Sequence, residues 1–317
     1  LPASIAFAGF DRVNPQLQKL QQALMHRGVE VTHQLLTFET PQLAEHRVLT
    51  DQDAECRAAV YWAKEQLENN PQSSIAIVVP ELSVLRSKLA NLLDDVLHPQ
   101  TVRPGFNEAP RCYDFSLGVP LSTQPIIRDA LNLLRLAWQR GIILQQDMAH
   151  LLHSPYWSES LLEADARSLL DARMRKDLPL SFKVSRLQNY INKVTAGDGG
   201  MRLPATNKAL QDLFHFAQTQ GAKQPPSAWV TLLKAALKHA GWPGQRSLSS
   251  HEYQARKSFD GVLAQLASLD DLLGNIPASQ AIMQLSKLAL AKISQPESTQ
   301  IPRLQVMGML EAAASPL

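Results

Sequence analysis

The sequence predicts a mixed α/β fold in which a parallel-sheet domain is interrupted by a large, all-helical insertion, and three observations carry that expectation. Short apolar runs alternate with helix-period segments over the first part of the chain. From Pro120 to Ile293 nearly every segment has period 3.6 and stops at Gly or Pro. After Gln295 and Pro296 the strand-like Arg303 to Met309 returns to the first pattern. The boundaries read from these changes are 1–118 with 298–317 for the α/β part and 119–297 for the helical part.

The elements follow in order. Ser4 to Gly9 reads as a buried strand, and Asn14 caps a helix with Pro15 in its first turn, an apolar stripe of Leu17, Leu20, Leu24 and Met25, and a stop at Gly28. Val29 to Phe38 alternates imperfectly as a second strand. Asp51 opens a helix to Asn69 whose Ala54, Ala58, Tyr61, Trp62 and Leu67 recur at helical spacing. Ile75 to Val79, apolar and mostly β-branched, reads as a central parallel strand buried on both faces. A helix over Leu82 to Leu97 and a short strand around Tyr113 to Leu117 complete the layer, whose crossovers are expected to be right-handed. In the second region the periodicity predicts helices over Thr123–Arg140, Gln145–His153, Ser158–Lys176, Ser181–Val194, Thr206–Gln220, Ser227–Ala240, Ser249–Leu273 and Pro277–Ile293, with no repeat of fixed length joining them.

At 45% apolar residues the 317-residue chain can bury a sizeable core. No apolar run approaches the roughly 20 residues that cross a bilayer, and nothing at the start resembles a signal segment, so a cytoplasmic location is expected. The start at Leu1 and the abrupt apolar end suggest an excerpt of a longer polypeptide. Cys56 and Cys112 are too few for a disulfide framework and read as reduced thiols.

The net charge of +2 hides an asymmetry. Residues 167–257 hold fifteen Lys and Arg against five Asp and Glu, a net of +10, which leaves −8 for the remainder. Charge runs ordinarily solvate helix faces; one this lopsided points to an anionic partner.

Catalytic motifs are absent. There is no phosphate-gripping GxxxxGK, and the glycine cluster at 197–200 falls between predicted helices and reads as a turn. No lysine has Asp or Glu two positions before it, which excludes a restriction-like nuclease site, and no GxSxG elbow is present. His150 and His153 read as core packing and helix-end capping, and Asp94-Asp95 and Asp270-Asp271 as solvated faces. No cofactor is expected. What remains is basic charge interleaved with aromatics, a pattern in which cations take phosphates and aromatic faces take unpaired bases. Lys183, Arg186, Lys193, Arg246, Arg256 and Lys257 are the candidate phosphate contacts, whereas Trp229 and Trp242 read as core.

Several stretches are also familiar: Phe7-Ala8-Gly9-Phe10 with Asn14-Pro15-Gln16, Ser74 to Pro80, Phe115 to Leu121, Leu152 to Tyr156, Gly241 to Gly244 with Ser250 to Gln254, and Gln305 to Ala313. In this order they resemble the inactivated helicase subunit of the AddAB helicase–nuclease and related probable DNA repair proteins, a branch of the UvrD-like helicases. The resemblance implies a RecA-like α/β part and places the helical insertion within it. In active members an arginine follows the strand at Ile75 to Val79; here Pro80 and Glu81 stand there. Where active members carry threonine, histidine and a Lys-Gly pair in the last motif, this chain has Gly308, Leu310, Ala313 and Ala314. Loss of that charge stabilisation implies a helicase-like fold without its motor. The expected partners are DNA, single-stranded or tailed duplex, and a helicase–nuclease partner subunit. The competing expectations are a helical protein-docking scaffold of the same complex and one half of an ATP-driven motor.

Overall fold

The computed structural model describes residues 2–8, 10, 14–34, 45–102, 111–138, 142–196, 201–294 and 302–312. It is a mixed α/β structure of many helices and small sheets. The chain divides into two compact units, residues 1–117 with 298–317 and residues 118–297.

The first unit begins with β1 (Ser4–Ala8), α1 (Pro15–His26) and β2 (Glu30–Gln34). β1 and β2 pair in parallel. The Asn14 side chain accepts from the Leu17 amide at 2.8 Å, the cap its sequence predicts. β1 alternates exposed and half-buried residues, so it is not the buried strand its apolar run suggests, and Leu20 and Met25 of the α1 stripe are exposed. The remainder of the second predicted strand, 35–38, lies outside the described residues.

α2 (Gln52–Asn69), β3 (Ile75–Val78), α3 (Leu82–Leu97) and β4 (Tyr113–Phe115) follow. The sheet is completed from the far end of the chain by β9 (Leu304–Met307), after which α13 (Met309–Ala312) forms one turn. The strand order is β3-β9-β4, all parallel, with Ile75 and Tyr113 both in register with Leu304. The central strand is therefore β9, not Ile75 to Val79, and Val78 is exposed. Burial follows position: Leu304 and Val306 are fully enclosed between two neighbours, while β3 has a neighbour only on its β9 side among the described strands. α2 turns Cys56, Val60 and Ala63 inward and leaves Tyr61 and Trp62 exposed, so the aromatics belong to the solvent face. Asp94 is no solvated carboxylate. It accepts from the Tyr113 hydroxyl at 2.6 Å and from Arg111 at 2.8 and 3.0 Å; burial opposes its charge, but these bonds hold its carboxyl below the ordinary value. Cys56 and Cys112 are free thiols, and burial raises both above the ordinary value.

The second unit is built round α4 (Pro125–Trp138), whose Ile126, Ile127, Ala130, Leu131, Leu133, Leu134 and Leu136 are all buried. Its polar residues Arg128, Asn132 and Arg135 share one narrow stripe, and the rest of the helix turns inward. β5 (Val119–Pro120) precedes it, and β6 (Ile142–Leu144), α5 (Gln145–His153), α6 (Ala164–Asp177), β7 (Ser181–Lys183) and α7 (Val184–Thr195) follow. Next come α8 (Pro204–Gln218), α9 (Pro226–His239), α10 (Ser250–Ala267), α11 (Asp270–Leu273), α12 (Ala278–Ala291) and β8 (Ile293–Ser294). The unit is not purely helical, because β6 pairs antiparallel with β7 and β5 with β8. Three-residue strands are too short to impose a period of 2 on a sequence, and Phe182 is buried between exposed Ser181 and Lys183 in a segment whose next twelve residues are helical. Two predicted helices also shorten. Residues 158–163 form turns, and the helix expected over Ser249–Leu273 breaks after Ala267 and resumes as α11. Asp270, at the start of α11, accepts from the backbone amide and hydroxyl of Ser227 at 2.8 and 2.6 Å, so it serves as the missing cap of α9 and is not a solvated carboxylate.

Polar side chains fasten the turn after α5. Arg167 is 1% exposed; its Nε donates to Thr206 Oγ1 at 2.8 Å, its Nη atoms reach the carbonyls of Ser154 and Trp157 at 3.4 and 3.3 Å, and its guanidinium lies 4.4 Å from the Trp157 ring. Glu163 accepts from the amides of Ala205 and Thr206 at 2.7 and 2.9 Å, satisfying the first amides of α8. Glu252 completes a capping box with Ser249 and accepts from the Tyr156 hydroxyl and from Arg246. Burial pushes the Tyr156 hydroxyl up to about 12, and Glu252 adds to the shift.

Candidate nucleic-acid interface

A surface that takes phosphates needs cations that are exposed, close together and not already neutralised by carboxylates. Of the fifteen cations in residues 167–257, Arg167 is buried, and Arg175, Lys208, Lys234 and Arg246 pair with Asp171, Asp212, Asp260 and Glu252. The other ten are exposed and belong to none of the ion pairs among the described residues.

Five of these ten are carried by the end of α6, by β7 and by α7. The pleat of β7 sends Phe182 into the core and Lys183 to solvent. On α7, Leu187 and Ile191 form the buried stripe, which leaves Arg186, Tyr190 and Lys193 at i, i+4 and i+7 along an adjoining face. The Tyr190 hydroxyl donates to Asp177 Oδ2 at 2.7 Å and so ties α7 to the last residue of α6. Partial burial, reinforced by Asp177, pushes that hydroxyl up to about 12, while the charge of Arg173 is near enough to pull the other way. Arg173 lies one helical turn before Asp177, and Lys176 is its neighbour in the last turn of α6, where cations also complement the helix dipole. The resulting surface holds Arg173, Lys176, Lys183, Arg186 and Lys193, with Asp177 spent on Tyr190.

The structure thus sets Arg186 and Lys193 on one face of α7 with Lys183 at its N-cap, and adds Arg173, which the sequence alone does not single out. The signal for it was the i, i+3 pairing with Lys176, but a helix end alone does not reveal which neighbour it meets. Arg256 and Lys257 form a separate set on α10, exposed beside Tyr253 at i, i+3 and i+4. α7 packs on β7 and α8, whereas α10 packs on α9, α12 and α4. Arg246 is placed differently. It is half-buried, pairs with Glu252 and stacks 5.1 Å from the Tyr156 ring centroid, so its charge is committed inside the unit. Trp229 is 1% exposed and Trp242 half-buried against the core, and both donate their indole N–H to backbone carbonyls, of Ile276 and Ile126.

The two α5 histidines are at the surface and not in the core. His150 is exposed, and His153 bonds Asp171 at 3.0 Å. Burial raises the pKa of Asp171, but the bonds from Arg175 and His153 outweigh it and leave the carboxyl below its ordinary value; Glu252 is likewise lowered on balance. A folded pKa below the unfolded one contributes stability that is present above the ordinary carboxylate range and lost as pH falls through the folded value. Urea unfolding is therefore expected to show stability declining below about pH 4.5, with a shallower decline in Asp171→Asn; an unchanged acid limb in that variant would remove Asp171 from the explanation. Among the described residues no group of three or more His, Cys, Asp or Glu side chains could hold a metal, and no described helix is long and apolar enough to cross a membrane. The glycine cluster at 197–200 and Ala313 and Ala314 lie outside the described residues. No protein-family model matches this chain, and no curated protein matches it.

Proposed function

We propose that the chain holds DNA by its phosphates, as a non-catalytic, helicase-like segment of a DNA repair or recombination protein resembling the AddAB type. The observation that carries this reading is the α6–α7 region, where exposed Arg186 and Lys193 flank an anchored tyrosine approached by Arg173, Lys176 and Lys183 are exposed on the adjoining segments, and none of the five is taken up in an ion pair among the described residues. The finer fold reading, a RecA-like sheet domain interrupted by a helical insertion, is supported by the parallel order β3-β9-β4 and by the position of residues 118–297 between the two sequence pieces of the first unit. Pro80 and Glu81, just past β3, support the loss of an ATP-reading arginine.

The test is fluorescence anisotropy with labelled single-stranded and tailed duplex DNA across a salt series. Affinity should fall linearly with the logarithm of salt, and Lys183→Ala/Arg186→Ala/Lys193→Ala should flatten the slope on single strands by about 2, at roughly 0.7 per lost phosphate contact. Arg246→Ala should leave that slope unchanged. Absence of binding at low salt, or binding indifferent to the triple substitution, would overturn the assignment to this face.

A further inference from the structure

One cavity of the second unit lies away from the α6–α7 face. It is a groove of about 890 Å³ between α4 and α12, bordered also by the α8–α9 connection at Gln220 to Ala222. One wall presents Arg128, Leu131, Arg135 and Trp138 of α4; the other presents Met283, Lys287 and Leu290 of α12 at i, i+4 and i+7. Met283 and Leu290 are 46% and 58% exposed, large apolar side chains left uncovered along one helix face. From Arg128 to Trp138 the groove runs about 15 Å, three helical turns.

Its charge is one-sided. Arg128, Arg135 and Lys287 line it, and among the described lining residues none is acidic. Arg135 donates to Ser286 Oγ at 3.1 Å and Asn132 Oδ1 at 3.3 Å, both neutral, so its charge is not cancelled; Arg128 bonds the buried Asp129 at 3.2 Å, which offsets part of its own.

We infer that this groove is a docking site for an acidic, amphipathic helical segment of a partner protein, an interaction separate from the DNA-holding role. An apolar groove about three turns long between two helices suits a helix presenting anchors at i, i+3 or i+4 and i+7. Arg128 and Arg135 stand seven residues apart, about 10.5 Å along α4. That spacing matches carboxylates two turns apart on one peptide, whereas a fatty acid has a single carboxylate to offer. A nucleic acid strand would need open aromatic faces. Trp229 is 1% exposed, Trp138 meets it edge-on at 5.8 Å, and the remaining apolar lining is aliphatic or thioether.

The test pans a displayed random library of 16-residue peptides against the 317-residue chain and, in parallel, against Met283→Asp/Leu290→Glu, whose exposed positions leave the core untouched and whose fold is checked by circular dichroism. Peptides enriched on the wild-type chain alone should be net acidic, with apolar residues at helical spacing. The best of them, fluorescein-labelled, should bind Arg135→Glu/Lys287→Glu about tenfold more weakly at 0.1 M salt, as expected when complementary rim charges are reversed. It should not be displaced by a single-stranded oligonucleotide or by laurate. No enrichment, enrichment of basic or non-amphipathic peptides, equal recovery on Met283→Asp/Leu290→Glu, or displacement by either competitor would overturn the inference. Because its variants lie outside the α6–α7 face, failure here leaves the DNA-binding result standing, and the converse holds.

Discussion

Arg167→Ala is expected to destabilise the second unit by about 3–5 kcal/mol, the range for removing one member of a buried charged network. Three acceptors lose their donor together: Thr206 Oγ1 and the carbonyls of Ser154 and Trp157. Burial lowers the guanidinium to about 10, with Glu163 opposing, so the side chain is charged at neutral pH and its partners are matched to a cation. Arg167→Lys keeps the charge but not the planar fork, and should recover only part of the loss. Urea unfolding followed by tryptophan fluorescence suits the measurement, since the Trp157 ring lies directly under the guanidinium. A loss under about 0.5 kcal/mol, the ordinary size of a surface change, would show that the network is not holding the turn.

Gly244→Ala should cost about 3 kcal/mol or more, combining left-handed backbone strain with overpacking. The residue has φ of +90°, and a Cβ built there would stand 2.5 Å from the Pro155 carbonyl oxygen and 3.3 Å from the Tyr156 carbonyl carbon. Both obstacles are backbone, which cannot rotate aside. The α9–α10 connection is held against the 155–158 turn at this point, with Ser158 donating its amide to the Ala240 carbonyl at 3.0 Å, and Tyr156 reaches Glu252 nearby. Gly261→Ala, on α10 with open space at its Cβ, is the matched control and should stabilise slightly. Equal thermal midpoints for the two variants would refute the close-approach argument.

Local chemistry made much of the fold legible. α3 and α5 begin and end where their sequence signals place them, and Asn14 and Asp51 cap as their side chains predict. What was illegible depends on partners distant in sequence. Ile75 to Val78 looks more like a central strand than Leu304 to Met307 does, yet centrality is conferred by neighbours on both sides, and β9 has them. The pair Arg186 and Lys193 is readable from one helix, with Lys183 at its N-cap. The withdrawal of Arg246 onto Glu252 and Tyr156, the approach of Arg173 to Tyr190, and the α4–α12 groove are not, because each joins segments separated by between 6 and about 150 residues whose packing no local period encodes. Arg246 is the sharpest case: six residues from Glu252, it pairs because the α10 capping box turns that carboxylate back towards it.

Placing β9 between β3 and β4 has a consequence for the order of events during synthesis. β4 ends at Phe115 and β9 begins at Leu304, so both outer strands emerge and wait while roughly 190 residues are added. At about 5–20 residues per second the wait is some 10–40 s, whereas helices form in microseconds. The second unit can therefore fold while the sheet of the first still lacks its middle strand, with the inner edges of β3 and β4 open to wrong pairing. Chains truncated after Glu297 should be protease-resistant in residues 118–297 and cleavable in 45–117, whereas chains extended through Ala312 should protect both.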